Sequence, residues 1–87
     1  MNQQNSLILD HMNSASAAVD KLAELHLTVL SIRLGEQSRP LIEIQESRAC
    51  ARLESGIHKI MMRGSRRLTE RVAMVCGCQV RWQQPAA

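Results

Sequence analysis

The stretch Leu68-Thr69-Glu70-Arg71-Val72-Ala73-Met74-Val75-Cys76-Gly77-Cys78-Gln79-Val80-Arg81-Trp82 decides the fold class. Leu68, Val72, Met74, Cys76, Cys78, Val80 and Trp82 take even positions, while Thr69, Arg71, Gln79 and Arg81 take odd ones. A period of two marks extended chain with one buried face and one polar, basic face. Fifteen residues make a long strand, so Gly77 is expected to interrupt it, either as a bulge or as a two-residue turn through Cys76-Gly77.

Working outward, Leu30, Ile32 and Leu34 alternate with polar residues, as do Ile42 and Ile44, which predicts two half-buried strands joined by a turn at Gly35–Pro40. Upstream the period changes to that of a helix. Ile8, Met12, Ala15, Val19, Leu22 and His26 recur three or four apart. The helix is expected over Ser14–His26, with residues 6–12 as either its extension or a loose arm. Ser47 reads as the N-cap of a short second helix with Ala49, Cys50 and Leu53 inward and Gly56 as its stop. Ile57–Met62 resumes an extended pattern, and Arg63–Arg67 is a turn around Gly64.

These elements predict an α+β fold: an N-terminal helix and a short second helix packed on one face of a small, mainly antiparallel sheet of four or five strands. Residues 1–5 read as a flexible N-terminus, 6–82 as one domain and 83–87 as a flexible tail. An 87-residue chain buries only about 60 to 65% of the surface its unfolded form exposes. Phe and Tyr are absent and Trp82 is the sole aromatic, so the core falls to aliphatic side chains.

Charge divides unevenly. Met1–Ser47 carries three basic residues against six acidic ones, whereas Arg48–Ala87 carries eight basic residues against Glu54 and Glu70 alone. Like charges gathered on one half of a small fold repel one another, which points to a surface held for a partner. The expected partner-binding set is Arg63, Arg66, Arg67, Arg71 and Arg81, a stripe running from the turn onto an exposed sheet face, with Lys59 beside it. Arginine's planar fork suits carboxylates and phosphates alike. A net charge of +3 and the lack of base-stacking aromatics favour a protein partner, with nucleic acid as the alternative.

The remaining chemistry is sparse. Cys76-Gly77-Cys78 lacks the two-residue spacing of zinc hairpins and would need two more ligands, with Cys50 and His58 as candidates, so no metal is expected. The two thiols read as neighbours on one buried face. No histidine is tied by a local pattern to a thiol, and neither a nucleophile elbow nor a phosphate loop occurs, so neither an enzyme nor a cofactor is expected. The apolar runs are too short for a signal peptide or a membrane span, and three cysteines read as reduced thiols, which places the chain in the cytoplasm. The apolar stripe of the first helix leaves a homodimer open.

The segments Arg39–Leu53 and Cys76–Trp82 resemble small accessory proteins encoded by bacteriophages and prophages. That resemblance implies a small non-enzymatic protein that binds, and inhibits or redirects, a host protein.

Overall fold

The computed structural model describes residues 2–35 and 38–85, with the side chain of His58 left out. Its elements are α1 (Gln3–Glu24), β1 (Val29–Arg33), β2 (Leu41–Ile44), a 3-10 turn (Arg48–Arg52), β3 (Ser55–Arg63), β4 (Arg66–Val75) and β5 (Cys78–Pro85). One sheet takes the order β1-β2-β5-β4-β3. The fold is α+β, but the sheet is mixed: β2 runs parallel to β5, while the other neighbours are antiparallel. The parallel seam joins the β1–β2 hairpin to the β3–β4–β5 meander, and Gln79 N–H donates to the Pro40 carbonyl at 2.9 Å at its start.

The helix starts earlier than its sequence pattern suggests. Asn2 caps it, its side-chain oxygen accepting from Asn5 N–H at 2.8 Å. Asn13, Ser14 and Ser16 sit inside it without breaking it, because tertiary packing overrides weak propensity. Its inward residues are His11, Ala15, Ala18 and Leu22. Met12 and His26 of the expected stripe are exposed, and Ile8 and Val19 are half-buried. The buried face is rotated toward small residues, which bring the helix close to the sheet. At its end His26 takes a left-handed φ of 64°. Leu27 N–H reaches Leu22 O at 2.9 Å and His26 N–H reaches Ala23 O at 3.0 Å. That is a Schellman ending, and it buries Leu27 and Leu22 together.

The short second helix is instead a single 3-10 turn. Ser47 supplies no side-chain cap bond, and Gly56, the expected stop, lies within β3. Without that cap and with only five residues the segment forms no α-helix, though Cys50 is still buried beneath it. β5 extends through the expected tail as far as Pro85, and Ala86 and Ala87 lie outside the described residues, as do Met1 and, in the expected Gly35–Pro40 turn, Glu36 and Gln37.

Cys76 and Gly77 form a two-residue turn, both with positive φ (50° and 79°), the pattern of a type I′ hairpin. This turn corrects the face assignment. Val75 pairs with Cys78, Ala73 with Val80 and Arg71 with Trp82, so odd positions of β4 share a face with even positions of β5. The core accordingly takes Ala73, Val75, Cys78, Val80 and Trp82, which join Ile42, Ile44, Cys50, Ala18, Leu22 and Leu27. Met74 and Cys76 are exposed, and Leu68 and Val72 are half-buried on the opposite face. Because α1 packs on β1 and β5, its side of the sheet is covered at that end, while β3 stands at the far edge.

Candidate interaction surface

The five arginines do not form one stripe. Arg71 lies on the helix side with Trp82, and Arg81, one position away on β5, lies on the other. Arg71 is half-buried; its Nε donates to Ser55 Oγ at 3.0 Å and its Nη2 to the Ser55 carbonyl at 3.3 Å. It fastens the start of β3 to β4. Arg81 is equally committed, its Nη2 donating to Glu43 Oε1 at 2.9 Å and its Nη1 lying 3.4 Å from Glu70 Oε1.

Lys59 completes this set, with Nζ 3.6 Å from Glu70 Oε2. Glu43, Arg81, Glu70 and Lys59 thus form a row of alternating charge across β2, β5, β4 and β3. The pairings Glu43 with Arg81 and Glu70 with Lys59 put each pair on one face. Glu70 is the buried member, its side chain 3% exposed, and Oε2 makes no hydrogen bond of its own. A buried carboxylate is tolerated only beside compensating cations, and two are present. The basic character that the sequence assigns to this face is therefore largely neutralised within it.

Arg63, Arg66 and Arg67 remain. Gly64 and Ser65 close the β3–β4 hairpin, with Gly64 in the left-handed region (φ 62°) at the first turn position, the place a type II′ turn reserves for glycine. Arg63 and Arg66 pair across the turn, and Arg67 pairs with Met62. All three are exposed, and none forms a salt bridge among the described residues. Arg63 also lines a hollow of about 390 Å³ together with Glu43, Glu46, Glu70 and Arg81. The flank of the tip carries exposed Ile60 and Met62.

Two features of this region escape a reading of the sequence. Glu70 shows no outward sign of burial, and the register shift between Ile57 and Lys59 that re-aims β3 leaves no residue signature. The parity change at Cys76-Gly77 did carry a signal, since a two-residue turn pairs odd positions of the preceding strand with even positions of the following one and so moves the core to the odd positions of β4.

The cysteines are separated too. Cys76 is exposed in its turn, whereas Cys78 and Cys50 are buried, with Cys50 Sγ 3.7 Å from the Gln45 carbonyl. Burial, followed by the neighbouring Cys76, raises the Cys78 thiol above its ordinary range. A protonated, buried thiol is a poor nucleophile. Among the described residues no group of three or more His, Cys, Asp and Glu is gathered as a metal site, and the His58 side chain lies outside them. No helix among them is long and apolar enough to cross a membrane. No protein-family model, no curated protein and no solved structure matches this chain.

Proposed function

We propose that the chain is a non-enzymatic binding module that presents the tip of the β3–β4 hairpin, Arg63, Arg66 and Arg67, to an acidic protein. The observation that carries this reading is the contrast among the cations. Lys59, Arg71 and Arg81 are spent on contacts within the fold, whereas the three tip arginines are exposed and unpaired among the described residues. Ile60 and Met62 beside them add exposed apolar surface. An apolar centre with a charged rim is the composition of a protein interface. The resemblance to phage-encoded accessory proteins gives the partner its class: a host protein that is inhibited or redirected by being bound.

Nucleic acid is the second reading, favoured by one observation: a two-stranded ribbon ending in arginines has the cross-section that the major groove admits. A single set of variants separates the two. Arg63→Ser/Arg66→Ser/Arg67→Ser should keep the fold and lose the partner captured from a nuclease-treated bacterial lysate. If nucleic acid is the partner, retention on DNA or RNA falls steeply with salt, and the triple variant flattens that slope. Undiminished capture by the triple variant rules out the tip as the working surface.

A further inference from the structure

β3 is the far edge of the sheet, so no strand among the described residues covers its outer side. Ile57, Ile60 and Met62 are 61%, 58% and 65% exposed along it. Pairing with Arg71, Thr69 and Arg67 places all three on one face, the side of Trp82. In a regular strand Ile57 and Ile60 would point oppositely; the register shift between Ile57 and Lys59 aligns them. Arg63 and Arg66 flank the two-residue turn as a mutually bonded pair. The alternation that follows turns the N–H and C=O of Met62, Ile60 and, past the shift, Ile57 away from β4. An edge with unpaired backbone groups and apolar side chains is a template for another strand.

Its charge shows which strand. Glu54 immediately precedes β3 and Arg63 ends it; both are exposed, and neither forms a salt bridge among the described residues. We propose that a second copy of this chain occupies the edge, β3 pairing antiparallel with its twofold mate so that Ile57 opposes the partner's Ile60. The same register sets Ser55 beside the partner's Met62 and Glu54 beside the partner's Arg63, and the twofold axis repeats each contact. Residues 58 and 59 separate the two isoleucines on both strands, so the irregularity of one strand is matched by that of the other. The copies of Lys59 approach near the axis, and Glu70, 3.6 Å from the Nζ, offsets their charge. Four isoleucines then close into one apolar patch with an ion pair at either end. Arg66 and Arg67 stay free at both tips, and because the pairing takes up Arg63, Ile60 and Met62, the dimer and an acidic protein gripping those three residues exclude one another.

Sedimentation equilibrium on the full chain tests this pairing. The mass should rise with concentration from 9.8 kDa to twice that value and stop there. Ile60→Lys, at an exposed position, should leave Trp82 emission unchanged and shift the protein to monomer. Glu54→Arg and Arg63→Glu should each weaken dimerisation about tenfold or more, and the double exchange should restore it. That rescue is the decisive reading, because a general loss of fold or solubility would not be reversed by a second charge change. A wild-type mass that stays monomeric, a mass that climbs without limit, or a dimer indifferent to all three single variants overturns the proposal.

Discussion

Arg81 joins the two halves of the sheet by holding Glu43 across the parallel seam at 2.9 Å and Glu70 across the antiparallel one at 3.4 Å. Glu70 is the member that depends on it, being buried, whereas the Glu43 side chain is 37% exposed. Arg81→Met leaves Glu70 with Lys59 alone and should cost about 2–4 kcal/mol, because a half-exposed cation at 3.6 Å compensates the buried charge only in part. Glu43→Gln should cost less than about 1 kcal/mol, since solvent replaces a half-exposed partner. Urea unfolding of both variants measures the difference; equal losses would mean the row contributes as a surface pair only.

Trp82 is 3% exposed and closes a core otherwise made of aliphatic side chains and small residues, with its Nε1 donating to Gln84 Oε1 at 3.2 Å. Trp82→Phe keeps most of that volume and Trp82→Ala does not. The alanine variant should lose about 3–5 kcal/mol, a large share of the stability of a small domain. Native emission should be blue-shifted from that of indole in water, and emission like free indole in the folded protein would show the ring to be solvated.

How far the fold was legible follows from where local chemistry dominates. Along β5 the alternation of Cys78, Val80 and Trp82 with Gln79 and Arg81 reports its burial faithfully, because that strand is central and one of its faces is the core. On β4 the same alternation misleads. Met74 and Val72 are apolar yet face away from the helix, and Ala73 and Arg71 face toward it. Only the turn at Cys76-Gly77 sets that parity. The single stripe expected of the five arginines does not form for a related reason: sequence gives the count of cations on a strand, but not the face each one takes or which carboxylates the neighbouring strands bring beside them.

Gly35 carries a second constraint that its sequence neighbourhood hides. Its φ is +84°, and a Cβ there would lie 2.5 Å from Ile8 Cδ1. Gly35→Ala should therefore cost about 1–2 kcal/mol for the left-handed backbone, and more where Ile8 fails to move aside. In the double variant with Ile8→Ala the steric share vanishes while the backbone share persists. A double-mutant cycle with no coupling between the two positions would show that Ile8 yields freely.

Thiol chemistry separates the cysteines. Iodoacetamide should label Cys76 rapidly in the native protein and leave Cys50 and Cys78 unmodified until it unfolds. The Cys78 thiol is raised in the folded state by burial, so the unfolded chain loses that proton first. Its contribution to stability is complete below the ordinary thiol pKa of about 8.5 and declines as pH rises past it. Cys76→Asn should do the reverse of harm: asparagine before glycine suits the positive φ of this turn and should add about 0.5–1 kcal/mol. A loss of stability comparable to that from a core cysteine would place Cys76 inside the fold.

Arg71 and Arg66 are five residues apart on one strand and are expected to behave as opposites. Arg71 holds Ser55 through both its side chain and its carbonyl at the entry of β3, so Arg71→Ser removes two bonds from a half-buried site. Loss of hydrogen bonds from a charged donor costs about 1.5–3 kcal/mol each at most, and the variant should melt at a lower temperature. Because β3 carries the hairpin tip at its other end, any change in partner affinity should appear only as that loss of fold and should be restored under stabilising conditions. Arg66→Ser makes the contrary pattern. The residue is exposed and unpaired among the described residues, so the change should alter stability by no more than about 0.5 kcal/mol while weakening capture of an acidic partner. Thermal unfolding and titration of both variants against the same captured partner read the two effects separately. If Arg66→Ser melts early and binds normally, the tip belongs to the fold and the working surface lies elsewhere.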